Sequence, residues 1–93
     1  MAKAPRHIPK RLGAKLAKIR QSLDVATYDD MVARLDVQEV SLYRSTIYEY
    51  EAGKRSPPYI VLLRYARLVN ISTDVLIDDM LDLPDDLPVK VRT

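Results

Sequence analysis

The residues of this chain best suited to binding chemistry lie within positions 44–55. Gly53 follows a short helical pattern and suits the left-handed backbone position just past a helix end, because it has no Cβ to clash there. Lys54 and Arg55 come next and are expected on an exposed turn, where they can contact a polyanion. The proline pair at 57–58 then prevents the helix from continuing. The stretch therefore predicts a helix that ends abruptly before a basic turn.

Two amphipathic helices are predicted before this stretch. The first runs roughly over 10–23, where apolar residues recur at helical spacing. Its apolar stripe comprises Leu12, Leu16, Ile19 and Leu23. The second runs over about Thr27–Leu35, with Thr27 as its cap and Asp30 at the capping-box position. Its buried face is expected to comprise Met31, Val32 and Leu35.

The third helix has two possible starting points. It could begin near Tyr43, or one turn earlier with Ser41 as its cap. The earlier start gives a helix over about Leu42–Ala52. We prefer it because Leu42 and Tyr43 would otherwise be exposed.

Two further helices follow the proline pair. The fourth runs over about Pro58–Val69, and Asn70 suits the left-handed position after it. Its inward residues are expected to be Leu62, Leu63, Ala66 and Val69. Ser72 can cap a fifth helix, whose apolar residues are Val75, Leu76 and Met80. Strand signals are weak, so the sequence predicts an all-α fold of five short helices.

Composition excludes several classes of function. The 93 residues suffice for one small domain, and the absence of cysteine excludes disulfides and cysteine–zinc sites. No signal peptide or membrane span is visible, so a cytoplasmic protein is expected. We expect no catalytic residues, no cofactor and no metal site, because His7 stands alone and the paired aspartates lack an apolar pocket.

Charge is distributed unevenly, although the net charge is only +2. Residues 1–20 hold only basic charges, and residues 74–86 hold only acidic ones. This asymmetry suggests that one end faces a polyanion while the other is repelled by it. The residues of a basic arm before the first helix are Lys3, Arg6, Lys10 and Arg11. Such an arm could follow a nucleic-acid backbone or enter a minor groove, or it could be incidental.

Residues 12–77 resemble the phage-repressor-like (XRE-type) helix-turn-helix family. Four segments in this order carry the resemblance: Arg44-Ser45-Thr46-Ile47, Glu51-x-Gly53-Lys54-Arg55, Leu62-Leu63-x-x-Ala66 and Ile71-Ser72-x-Asp74-x-Leu76. The resemblance implies a lambda-repressor-like fold in which the third helix enters the major groove of duplex DNA. The chain departs from the family in a longer turn at 38–42, and in Tyr28, where the family usually has glutamine.

The resemblance also implies which side of the third helix meets DNA. Buried positions behind it would be Thr46, Ile47 and Tyr50, and groove-facing positions would be Arg44, Ser45, Tyr48 and Glu49, with Tyr43 beside them. The major groove presents a distinct donor and acceptor pattern for each base pair. Arg44 can donate two hydrogen bonds to guanine, and Glu49 can accept one from cytosine.

Four other residues are expected at the phosphate backbone. Lys54 and Arg55 would contact phosphates from the basic turn, which sets affinity and register. Thr27 and Tyr28 would do so from the start of the second helix, where free backbone donors also favour an anion.

One predicted pair is structural. Arg20 and Glu51 match a charged pair that holds the first helix against the third in many members of the family. Arg20 is therefore not counted as a DNA contact.

The sequence thus predicts a basic arm at 1–9, a helix-turn-helix domain at 10–80 and an irregular tail at 81–93. The expected function is sequence-specific binding to double-stranded DNA by a homodimeric transcriptional regulator, away from membranes. The alternatives are the antitoxin of a toxin–antitoxin pair, or a protein-interaction module on the same fold. Five apolar residues near the end could form the dimer contact or fold back on their own domain: Leu76, Met80, Leu81, Leu83 and Leu87.

Overall fold

Five α-helices form the regular structure of residues 8–90, the part of the chain that the computed structural model describes. They are α1 (Leu12–Ser22), α2 (Tyr28–Leu35), α3 (Arg44–Glu51), α4 (Tyr59–Leu68) and α5 (Thr73–Ile77). No strand occurs within the described range. The prediction of an all-α protein with five helices is therefore confirmed. Within the same range, no helix is long and apolar enough to cross a membrane.

Local sequence signals set several helix ends as predicted. The Thr27 hydroxyl accepts a hydrogen bond from the Asp30 backbone N–H at 3.1 Å. The Ser72 hydroxyl caps α5 in the same way, accepting from the Asp74 N–H at 3.2 Å. Asn70 follows α4 in the left-handed region, with a φ of 60°. The two hydroxyl caps pair N–H groups that a helix start leaves without a partner, and the left-handed residue turns the chain away at the helix end.

The start of α3 differs from the preferred prediction. The helix begins at Arg44, and Tyr43 precedes it with extended backbone. The Thr46 hydroxyl accepts a hydrogen bond from the Tyr43 N–H at 3.2 Å, which fixes this entry. Leu42 packs partly against the core from the loop, whereas the Tyr43 side chain remains 65% exposed. The preferred start near Leu42 is therefore wrong, and the alternative start near Tyr43 is confirmed.

One core joins all five helices. It includes the fully buried side chains Leu16, Ile19, Met31, Ile47 and Leu76. The fully buried residues of α4 are Val61, Tyr65 and Ala66, and Val69, directly after the helix, is also fully buried. The prediction that Leu62 and Leu63 point inward is right only in part: Leu62 is partly buried and packs against the core, whereas Leu63 is partly buried and is not part of it. Val32 in α2 and Leu23 after α1 are likewise at the margin of the core.

Helices α1 and α3 approach each other very closely at Gly13. A Cβ atom on this residue would lie 2.4 Å from the Glu51 carbonyl oxygen and 3.2 Å from that of Tyr50. Both distances are shorter than ordinary contacts between carbon and oxygen. Only glycine therefore allows this separation of the two helices.

The acidic segment lies against the start of α1, which contradicts the predicted separation of charge. The Asp79 carboxylate accepts hydrogen bonds at 2.9 Å from the backbone N–H groups of Lys10 and Arg11, which directly precede α1. These N–H groups have no partner within the helix. The Arg11 guanidinium donates to the Asp79 carbonyl at 2.7 Å and forms an ion pair with Asp82. This contact lowers the pKa of the Asp82 carboxyl. Arg11 is thus engaged within the protein. Lys3, Arg6 and His7 lie outside the described residues.

A lysine that the sequence did not indicate as special joins α1 to the end of α5. Lys15 is 4% exposed, and its ammonium donates to the carbonyls of Val75 at 2.7 Å and Asp78 at 3.0 Å. Burial lowers the pKa of this ammonium group. The contact satisfies carbonyls at the helix end, where a positive charge is also favoured by the helix dipole.

The segment after α5 is irregular, as predicted, but it packs on the domain. Leu83 is buried in the core and Leu87 packs partly against it. The Val89 N–H donates to the Val69 carbonyl at 2.9 Å. Met80, in contrast, lies beyond the end of α5 and is 88% exposed, so its expected place inside that helix is wrong.

Candidate nucleic-acid interface

Helix α3 has a buried face and an exposed face that follow its helical period. Thr46, Ile47 and Tyr50 are buried, as the resemblance implied. Arg44 and Ser45 are exposed one turn before Tyr48, which is also exposed. Residues three or four apart lie on the same side of a helix, so these three side chains share one surface. This surface carries one cation, one hydroxyl and one phenol.

An ion pair between α1 and the end of α3 fixes the orientation of that surface. The Arg20 guanidinium donates from Nε and Nη2 to the two Glu51 oxygens, at 2.8 and 3.1 Å. A third bond runs from Nη1 to the Val25 carbonyl at 3.2 Å. The two side chains are only 15% and 8% exposed. The hydrogen bonds that Arg20 donates to Glu51 raise the pKa of the Arg20 guanidinium. The predicted contact between Arg20 and Glu51 is therefore present.

The basic turn after α3 has a fixed backbone. Gly53 has a φ of 74°, which is the left-handed conformation predicted for it. Its N–H donates to the Tyr50 carbonyl at 3.2 Å, and the Lys54 N–H donates to the Glu49 carbonyl at 2.9 Å. These two bonds form a Schellman motif. Lys54 and Arg55 are both exposed and leave the helix end from this fixed turn.

The side chains of the candidate interface also contact one another. The Tyr28 and Tyr48 rings meet edge to face, with their centroids 6.3 Å apart. Lys54 places its ammonium 5.6 Å from the Tyr48 ring, and Arg20 lies 5.0 Å from the Tyr28 ring. Half-buried Tyr28 thus lies between α1 and α3.

Two acidic residues change the electrostatics of the surface. The Glu49 carboxylate forms an ion pair with the Arg55 guanidinium at 3.2 Å, so it faces the basic turn. Asp29, at the start of α2, lies 4.0 Å from the Arg44 guanidinium, and both of these side chains are largely exposed. Such an exposed pair is weak and can exchange for another anion at little cost. This contact of Asp29 was not expected from the sequence.

The remaining residues proposed from the sequence lie around this surface. Thr27 is exposed at the start of α2, but its hydroxyl serves as the helix cap. Tyr43 borders a shallow groove between α2 and α3. The other residues that line this groove are Asp29, Val32, Leu42, Arg44 and Ser45. Within residues 8–90, no group of side chains is arranged to hold a metal ion.

Comparison with known proteins identifies no relative of this chain. No family model, no curated protein and no solved structure matches this chain significantly.

Proposed function

We propose that this protein binds double-stranded DNA sequence-specifically and regulates transcription. In this proposal α2 and α3 act as a helix-turn-helix of the phage-repressor-like (XRE) type. Helix α3 enters the major groove, and α2 crosses the phosphate backbone. The observation that carries the proposal is that the exposed α3 surface of Arg44, Ser45 and Tyr48 adjoins the basic turn at 54–55, where the Lys54 ammonium lies 5.6 Å from the Tyr48 ring.

Chemistry supports separate roles for the two parts of this surface. Arg44 enters the groove first, where a guanidinium can bind guanine through two hydrogen bonds. Its pair with Asp29 is long and exposed, so it can open when DNA binds. Lys54 and Arg55 lie beyond the C-terminal end of α3 and suit phosphate oxygens. Glu49 then acts by orienting Arg55 rather than by reading a base.

The salt dependence of binding tests this assignment. The double variant Lys54→Ala, Arg55→Ala should weaken binding to all duplexes by similar factors. The salt slope should fall in magnitude by up to about 2, since each phosphate contact contributes ~0.9. A control with the same loss of charge is Arg67→Ala with Lys90→Ala. Arg67 lies in the last turn of α4, and Lys90 follows Val89, which is hydrogen-bonded to Val69 and Asn70 just after that helix. Equal slopes in the wild type and the first double variant would refute the phosphate assignment.

Assembly as a homodimer is part of the proposal, because one recognition helix reads few base pairs. Leu76 and Leu83 are buried in their own domain, which leaves Ile77, Met80 and Leu81 as the exposed apolar residues. Removal of the tail would also remove Leu83 from the core, so point variants are the better test. Met80→Ser with Leu81→Ser should reduce cooperative binding to a palindromic site and leave half-site binding unchanged. Unchanged cooperativity would exclude this surface as the contact.

A further inference from the structure

Four side chains from three helices and the basic turn form a continuous row across the candidate interface. The row runs from Arg20 through Tyr28 and Tyr48 to Lys54, with successive separations of 5.0, 6.3 and 5.6 Å. We call it the cation–tyrosine row. It ends on a cation at each side, and each cation lies within the range in which an aromatic face attracts it.

The two ends of the row differ in their freedom to move. At one end Arg20 is held by two hydrogen bonds from its guanidinium to Glu51 and by a third to the Val25 carbonyl. At the other end Lys54 has a fixed backbone, since its N–H closes the Schellman motif, but an exposed side chain. An exposed lysine has many rotamers, and ordering it on binding costs conformational entropy. A contact that restricts it beforehand reduces this cost.

We propose that Tyr48 is a positioning residue that holds the Lys54 ammonium ready for a DNA phosphate. The Tyr48 ring packs against Tyr28, and Tyr28 packs against Arg20, which is held on α1. These contacts restrict the Tyr48 ring and, through it, the Lys54 ammonium. This inference rests on the proposed binding to duplex DNA. It gives Tyr28 a supporting role in the row, in addition to the phosphate contact expected from the sequence.

The competing role for Tyr48 is direct contact with a base through its hydroxyl group. Tyr48 shares the exposed face of α3 with Arg44 and Ser45, so both roles are geometrically open. They differ in the chemical group required. Positioning needs the aromatic ring, which Tyr48→Phe retains, whereas a hydrogen bond to a base needs the hydroxyl. Tyr48→Leu removes both the ring and the hydroxyl group.

The test is a double-variant cycle measured by equilibrium binding to a selected duplex at several salt concentrations. Tyr48→Leu should weaken binding roughly two- to fivefold, the size expected for an exposed cation–π contact. In a Lys54→Ala background it should have no further effect. In an Arg55→Ala background it should keep its full effect, because Arg55 pairs with Glu49 instead. Tyr48→Phe should recover the Lys54-dependent part of the affinity that Tyr48→Leu loses, with the same base preference as the wild type.

A second measurement examines the contact in the free protein. In NMR spectra, the ring current of Tyr48 should shift the Lys54 side-chain methylene protons upfield. This shift should persist in Tyr48→Phe and disappear in Tyr48→Leu, while the remaining spectrum shows that each variant is folded. A wild-type protein without the shift would overturn the inference.

The binding outcomes separate this inference from the proposed function. If the wild type binds duplex DNA but the effects of Tyr48→Leu and Lys54→Ala add independently, the positioning role is wrong and the function stands. If Tyr48→Phe alone changes the preferred base, Tyr48 reads DNA through its hydroxyl, which also overturns the inference. If the wild type binds no duplex, the proposed function fails together with the role of Lys54 at a phosphate.

Discussion

The substitution Gly13→Ala tests the close packing of α1 on α3, because two physical effects of opposite sign compete there. Helix propensity alone would make alanine the more stable residue by about 1 kcal/mol. The added Cβ atom, however, would lie 2.4 Å from the Glu51 carbonyl oxygen. Carbon and oxygen atoms in contact normally stay about 3.3 Å or more apart. The two helices would therefore have to separate by roughly 1 Å.

The expected magnitude follows from which atoms must move. The obstructing atoms belong to the backbone of α3, so no side-chain rotation can relieve the contact. Separation would also loosen Leu12 and Leu16, which are fully buried on the same helix. Overpacking of this kind costs about 1–3 kcal/mol, and a backbone obstruction places it near the upper limit. After subtraction of the propensity gain, Gly13→Ala should lower the free energy of unfolding by about 2 kcal/mol.

Thermal and urea unfolding followed by circular dichroism measure this change. A loss of about 2 kcal/mol should lower Tm by roughly 8–16 °C for a domain of this size. The neighbouring exposed residue Ala14 provides the control, since Ala14→Gly changes propensity without a contact to α3. It should cost about 1 kcal/mol. An increase in Tm for Gly13→Ala would refute the reasoning and the interhelix distance on which it rests.

Two further predictions concern charges. Glu51→Ala leaves the Arg20 guanidinium without its main partner in a mostly buried site, so the free energy of unfolding should fall by about 2–4 kcal/mol. Glu49→Ala removes a partly exposed carboxylate that pairs with an exposed arginine, so it should cost under about 1 kcal/mol. Equal Tm values for the two variants would contradict the difference in burial. The hydrogen bond and charge of Arg11 lower the pKa of the Asp82 carboxyl in the folded state. The stabilisation from this ion pair is therefore present at pH values above the ordinary pKa of aspartate, and it is lost as the pH falls through the lowered pKa. The wild type should therefore unfold at a higher temperature than Asp82→Asn near neutral pH, and this difference should shrink below about pH 4. A difference independent of pH in thermal scans would show that the charge of Asp82 is irrelevant to stability.

Features that depend on neighbouring residues could be predicted from the sequence. The Thr27 cap, the left-handed Asn70 and the left-handed Gly53 each follow from one side chain, or its absence, at a helix end. The contact between Arg20 and Glu51 is not local, and it was expected only from the family resemblance. Spacing alone could not have paired these two residues.

The inward face of α4 could not be determined because its apolar residues surround the helix. Positions 60–63 are all apolar, and so are 65, 66, 68 and 69. Several rotations of such a helix bury a similar number of apolar side chains. Packing against the other helices favours Val61 and Tyr65 over Leu62 and Leu63.

Contacts between the two ends of the chain were also beyond sequence reasoning. Asp79 caps α1 from nearly 70 positions away, and a run of aspartates appears in the sequence as a solvated acidic end. The same applies to Lys15, whose role depends on where α5 ends. From the sequence, Gly13 is only a weak helix former near the start of α1. Its importance depends on the Glu51 and Tyr50 carbonyls, whose positions are known only once α3 is placed.

Selection of binding sites from random duplex DNA tests the central claim most directly. The wild type should enrich a recurring half-site, and Arg44→Ala should lose preference at one base position, with a cost of about 1–3 kcal/mol at the selected site. Enrichment of no sequence by the wild type, together with an affinity that disappears at moderate salt, would contradict sequence-specific DNA binding by this protein.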